Sequence, residues 1–248
     1  MHVINLAMTT AANNAEVRWR NVLDTAVRLL TFRATREELV DVSHRHLLLG
    51  LFCTWIVGMG RYYDNPRVGL LQHLGVGSVI YVFLFSLFIW LMVWPLRPAH
   101  WRYRRVCTFV SLVSPPAILY AIPVEQFFEL KISNVINAAF LAVVSTWRVA
   151  LLIYFLRRSA QLSWFSTLVA TFLPLSFIVV TLATLNLEKA VFSLMGGFSE
   201  RTSNDGAFAV LQTLSLLAAL LFVPLLLCYL TIIVVKLIAS RRRRPNES

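Results

Sequence analysis

The stretch VCTFVSLVSPPAILYAIPVEQFFELKISNVINAAFLAVVSTWRVALLIYFLRR, Val106 to Arg158, decides how the chain is read. It consists of two apolar runs joined by a short acidic link, with Ser114-Pro115-Pro116 breaking the first and a lone Arg148 in the second. A proline supplies no backbone N–H, and a guanidinium in hydrocarbon must find partners within the protein. Both features are costly in lipid, so they mark places where internal hydrogen bonding has to compensate.

The rest of the chain shares that solvent. Hydrophobic residues make up 58% of 248, charged residues 14%, and the mean hydropathy is +0.70; a soluble domain has roughly 45–50% apolar and about 25% charged residues. This is the composition of an integral membrane protein. The excess of 23 Lys and Arg over 12 Asp and Glu would suggest a nucleic-acid partner in a soluble chain. Here the charges sit in loops and tails between apolar runs, where they orient the chain in a bilayer.

Outward from the central stretch, apolar runs cover 47–60, 76–96, 106–124, 134–156, 161–185 and 207–238. Those over 76–96, 134–156 and 161–185 reach the roughly 20 residues a bilayer requires. The first is short; the last exceeds one crossing, so it must tilt, kink at Pro224 or project. Pro95 and Pro98 end the second run, and Pro174 lies inside the fifth. Turn chemistry at Asp64-Asn65-Pro66 and a polar loop over 186–206 with Gly196-Gly197 separate the runs.

Before the first run, residues 13–33 have helical periodicity, with Trp19, Val22, Leu23, Ala26, Val27 and Leu30 on one stripe and Arg20, Asn21, Asp24 and Arg28 opposite. Asn13 with Glu16 fits a capping box. Such a helix reads as lying flat on a membrane surface, or as packed on the protein's own loops. Thr35 and Glu38 repeat the capping signature, and one helix is predicted from Arg36 into the first run. The fold class is therefore an all-α polytopic transmembrane bundle of about six spans with an N-terminal amphipathic interfacial helix. Residues 1–45 form a cytoplasmic segment, 46–239 the transmembrane domain, and 240–248 a basic tail. Met1–Thr10 has no secretory signal pattern.

With the N-terminus cytoplasmic, the inner segments collect Arg18, Arg20, Arg28, Arg33, Arg36 and Arg45, then Arg97, Arg102, Arg104 and Arg105, then Arg157 and Arg158, then Arg241, Arg242, Arg243 and Arg244. The outer loops hold only Arg61, Arg67, Lys131, Lys189 and Arg201. This asymmetry is the positive-inside pattern, and it predicts a multi-pass membrane protein with both termini cytoplasmic.

The candidate polar site is Arg148 with Ser114, Pro115 and Pro116. Arg148 lies eight residues, about 12 Å, from the inner end of its helix, and no Asp or Glu lies in any of the six runs. Its partners must be carbonyls, hydroxyls such as Ser114, Tyr81 or Thr171, water, or an outside anion. In the structural reading it satisfies carbonyls freed by Pro116, whose nitrogen cannot donate four residues back. In the functional reading it binds an anionic lipid or ligand. Glu125 and Glu129, one helical turn apart, could serve acid–base or metal chemistry but read more simply as an acidic outer rim. His44 and His46 are two apart and diverge on a helix, so even with Asp41 they make a poor metal pair; His73 and His100 are isolated. Arg97, Arg102, Arg104 and Arg105 and the terminal Arg241–Arg244 run read as membrane-surface cations on anionic lipid. Cys53, Cys107 and Cys228 lie in apolar runs and read as small core residues. No catalytic, cofactor or metal signature is present; Gly58-x-Gly60 and Gly75-x-Gly77 lack the strand–turn–helix setting of a nucleotide loop.

The order of an LLTFRATREEL lead-in (29–39), a first span, a basic cuff after the second, RRVCTFVSLVSPPAILYAIP (104–123) with Ser-Pro inside a third, and a Trp147-bearing fourth resembles the bacterial branch of the Ypt-interacting-protein (Yip) domain family over about 15–185. The resemblance implies a helical bundle of five spans with a cytoplasmic N-terminus. It does not bring the GTPase association of the eukaryotic branch, because the Asp-Leu-Tyr-Gly-Pro signature is absent and a sixth run follows. Only the Pro115 position carries over. The resulting expectation is a non-enzymatic scaffold or accessory subunit that organises lipid or a protein partner, including a second copy of itself. The alternatives are a small transporter or channel component with an anion or lipid path near Arg148, and a membrane-embedded enzyme using Glu125 and Glu129.

Overall fold

Apolar segments that must satisfy their own backbone fold as helices, and every regular element among the described residues is helical. The computed structural model describes residues 19–61, 70–185 and 205–242. In chain order these form α1 (19–30), α2 (Arg36–Val40), α3 (His44–Arg61), α4 (Leu70–His73), α5 (Val76–Val93), α6 (Tyr103–Leu112), α7 (Leu130–Arg158), α8 (Trp164–Thr184) and α9 (Asp205–Arg242). Short 3-10 turns occupy Trp94–Leu96, Pro115–Ala121 and Val124–Gln126. Among the described residues, four stretches are long and apolar enough to cross a membrane: Val76–Leu96, Val135–Arg158, Trp164–Thr184 and Thr213–Ala239. Pro174 and Pro224 lie within α8 and α9 without ending them. The Asn13–Glu16 capping box, the Asp64-Asn65-Pro66 turn within 62–69, and residues 186–204 fall outside the described residues.

Three expectations need correction. The stretch 106–124 is not one helix with a break near its middle: α6 ends at Leu112, and a 3-10 turn runs from Pro115 to Ala121. Two consecutive residues without an N–H leave no donors to extend the α-helical ladder. The helix expected from Arg36 through the first run is divided at Asp41–Ser43. Its first part has the Thr35/Glu38 capping box, but the Val40 carbonyl is taken by the Arg105 guanidinium at 2.7 Å, and the Ser43 N–H donates to Nδ1 of His46 at 3.1 Å, which starts a new helix. The apolar stripe of α1 is also displaced. Val22, Ala26 and Leu29 are buried, while Trp19, Leu23 and Val27 are exposed.

The lead-in is fastened to α7. The Trp147 indole donates to the Leu30 carbonyl at 3.0 Å, the Tyr154 hydroxyl donates to that of Ala34, and Phe32, at φ 59, meets Tyr154 edge-on at 5.7 Å. A non-glycine residue at positive φ is strained by roughly 1 kcal/mol, and the ring contact helps to hold it there.

α6 is the innermost element, with every residue from Val106 to Leu112 buried and Phe109 stacked on Phe155 at a 4.2 Å centroid distance. α3 runs parallel to it. Their pairings proceed in step: His44 with Arg104 at 2.8 Å, Gly50 against Ser111, Thr54 with Ser114 at 2.9 Å, and Gly60 against Ala121. α5 returns alongside both in the opposite direction, with Ser78 near its start against Gly58. α9 lies along α8, and its Tyr229 hydroxyl donates to the Met92 carbonyl at 2.7 Å.

The α3–α6 crossing depends on a missing side chain. A Cβ at Gly50 would lie 2.3 Å from the Ser111 hydroxyl oxygen and 2.9 Å from the Leu112 nitrogen, so the helices are closer than any larger residue permits. Gly50→Val is expected to cost about 1–3 kcal/mol by overpacking and to lower the thermal midpoint in detergent by several degrees. An unchanged midpoint would show that the approach is not tight.

Candidate functional site

Where α6 stops, its last carbonyls need partners. The 3-10 turn draws the Ala117 N–H to the Ser114 carbonyl at 2.9 Å, which removes the donor that Val113 would have in a continuing α-helix. Arg148, on α7, fills the gap. Its Nε donates to the Val113 carbonyl at 3.3 Å and Nη2 to the Ser114 carbonyl at 3.5 Å. The carbonyls concerned thus lie just beyond the helix, rather than four residues before Pro116. The cation also sits at the negative end of the α6 dipole, a favourable position worth about 0.3–1 kcal/mol.

Serine and threonine hydroxyls complete the cluster. Ser114 Oγ donates to the Ser111 carbonyl at 2.7 Å, Ser111 Oγ to that of Thr108 at 2.9 Å, and Thr54 Oγ1 to the Gly50 carbonyl at 2.8 Å. Thr54, Ser111 and Ser114 are all buried. Thr54 and Gly50 were missed in the sequence, although small residues four apart on a helix are a signal of close helix packing. Of the other partners considered for Arg148, Tyr81 stacks on Phe85 at 5.3 Å, and the buried Thr171 hydroxyl has no hydrogen-bond partner.

The acidic pair is not assembled as spacing suggested. Glu125 lies in the 3-10 turn Val124–Gln126, and Glu129 caps the start of α7 with an exposed side chain, so no single helix carries both; the Glu125 side chain is outside the described set. His44 and His46 diverge, His44 towards Arg104 and His46 towards Ser43. Among the described residues no group of three or more His, Cys, Asp and Glu could hold a metal ion. Arg104 and Arg105, read as membrane-surface cations, also bond protein groups, Arg104 meeting His44 and Arg105 the Val40 and His100 carbonyls. Arg97 follows the 94–96 turn at φ 50, and Arg102 caps α6. Arg241 and Arg242 end α9; Arg243 and Arg244 lie outside the described residues.

Comparison of the chain with protein-family models, with curated proteins and with solved structures returns no match. The site therefore has to be read from its own geometry, which is that of a polar clamp around a broken helix.

One outcome tests this geometry. Arg148→Met leaves the Val113 carbonyl without this donor, a loss of about 1–3 kcal/mol, and should lower the thermal midpoint, with Arg148→Lys recovering part of the loss.

Proposed function

We propose that this chain is a six-crossing protein of a bacterial inner membrane, with cytoplasmic termini, that works as a non-enzymatic scaffold or accessory subunit organising lipid or a protein partner. The observation that carries the scaffold reading is the bonding of Arg148 to the Val113 and Ser114 carbonyls. The one charge of the 134–156 run holds a helix end in place, as a structural element does. A path for anions would need that charge turned to water.

The six-crossing reading draws support from the parallel course of α3 and 103–121. α3 has 18 residues, about 27 Å, and the segment beside it matches it from Arg104 to Ala121. If α3 crosses, its partner crosses with it. The basic segments also gather at one end of the bundle: the Ala99 N–H donates to the Ala160 carbonyl at 2.9 Å, Arg105 reaches Val40, and Lys236 reaches Leu96. That end is read as cytoplasmic. In this arrangement the exposed Trp19, Leu23 and Val27 edge of α1 faces the headgroup layer while Val22, Ala26 and Leu29 face protein, so the interfacial helix is anchored on both sides. The Yip-like layout belongs to the same reading.

Labelling decides the topology. In a protein lacking its native cysteines, His100→Cys and Glu129→Cys should react from opposite faces of inverted vesicles; reaction from one face would sink the six-crossing arrangement. The scaffold role is tested in native-membrane discs, where Arg148→Met should keep the copurified lipids and proteins of the wild type at a lower thermal midpoint. A variant of unchanged midpoint that has lost anion flux measured in wild-type proteoliposomes would favour transport instead.

A further inference from the structure

The groove between the start of α8 and the final turns of α9 has no role in the clamp around Arg148. It forms an open depression of about 460 Å3, within the size range of small-molecule sites. Its polar lining is Ser163, Ser166, Thr231 and Lys236, and its walls include Phe165, Leu227 and Val235. Those three wall residues are themselves exposed on the outer surface, at 57%, 60% and 59%, so the groove opens sideways onto the surface that a bilayer would cover.

The polar end is built from ordered groups. Ser166 is buried, at 5% exposure, and its Oγ accepts from Ser163 Oγ at 3.0 Å, which leaves its own proton to donate. Thr231 is committed to the Leu227 carbonyl of its own helix at 2.8 Å. Lys236 gives one of its three N–H donors to the Leu96 carbonyl. Leu96 is followed by Arg97, and Arg157 stands over the Trp164 ring at 4.8 Å, so further cations flank this end. The acidic side chains of the described residues are Asp24, Glu37, Glu38, Asp41 and Glu129; they belong to α1, α2 and the approach to α7, and none lines the groove.

We propose that this groove binds one acidic glycerophospholipid, its phosphate accepting from Lys236 and Ser166 and an acyl chain lying along Phe165, Leu227 and Val235. The inference rests on the membrane reading given above and names the lipid it would organise. Charge complementarity selects the occupant: the rim is cationic and, among the described residues, no carboxylate lines it, so a second copy of this chain would bring like charge to like charge. A free phosphate could use the rim but would leave the apolar walls uncovered. A phospholipid satisfies both ends, and Lys236 lies at the end of the bundle where the basic segments gather, at headgroup depth.

The full-length protein in detergent micelles, titrated with phosphatidylglycerol or phosphatidylcholine of matched chains and read by native mass spectrometry, tests this. Wild type should retain one phosphatidylglycerol in preference to phosphatidylcholine. Lys236→Gln should weaken phosphatidylglycerol retention by about fivefold, the factor that one basic residue supplies against an anionic lipid, and leave phosphatidylcholine retention unchanged. Leu227→Trp fills the groove while keeping the charge, and should remove the preferential lipid with helix content preserved; if Lys236→Gln does not fold, this variant decides alone. Equal retention by the variants and the wild type overturns the proposal, as does displacement of the lipid by inorganic phosphate, which would mark a free-anion site. A protein that passes the topology labelling yet shows no lipid preference loses this proposal alone.

Discussion

A guanidinium set against the carbonyls just past the end of a half-length helix is the interaction on which this bundle depends. α6 is the element that the others surround, yet at ten residues it extends only about 15 Å and cannot continue through two prolines. Its C-terminus is therefore an array of oxygen atoms buried inside the protein. Ser111 and Ser114 cover part of that array from within the segment, Thr54 adds a hydroxyl from α3, and Arg148 supplies the cation from α7. Three elements are held in register by one set of unsatisfied acceptors.

The same device recurs at the basic end. Arg105 bonds the carbonyl that ends α2, Lys236 the one that ends the 94–96 turn, and Arg157 the carbonyl of Leu162 ahead of α8. With its amide oxygen turned to the guanidinium, Gln161 accepts from Arg36. Ion pairing is sparse by comparison: Arg28 joins Asp24 at 2.8 Å and Glu38 at 3.3 Å. A chain with few carboxylates uses its cations on backbone oxygen, where each can stabilise a helix end and mark an orientation at once.

How much of this was legible follows from which physical quantity each feature obeys. The 76–96, 134–156, 161–185 and 207–238 runs correspond closely to the four long apolar stretches, because run length is written directly in composition. The Pro115-Pro116 break was visible for the same local reason, though not its extent, since the 3-10 continuation depends on what the neighbours offer. The α1 stripe was misassigned because that helix has two apolar edges, and only the position of α7 decides that Leu29 turns inward and Val27 outward. His46 looked wet beside His44, yet its ring bends back to the Ser43 N–H and is buried. The parallel pairing of α3 with α6 was not readable at all. Periodicity identifies a face, and it does not name the partner that the face will meet.

That pairing sets an order of events during synthesis. Thr54 and Ser114 are separated by 60 positions, so when α3 leaves the ribosome the segment that will shelter its polar side is still unmade. α3 is also flanked by His44, Arg45, His46 and Arg61, which weakens its own claim on hydrocarbon. In the six-crossing arrangement proposed above, α3 waits beside the insertion machinery until Pro115 and Pro116 have passed and Arg148 arrives to lock the helix end, so the middle of the chain governs when its beginning can settle.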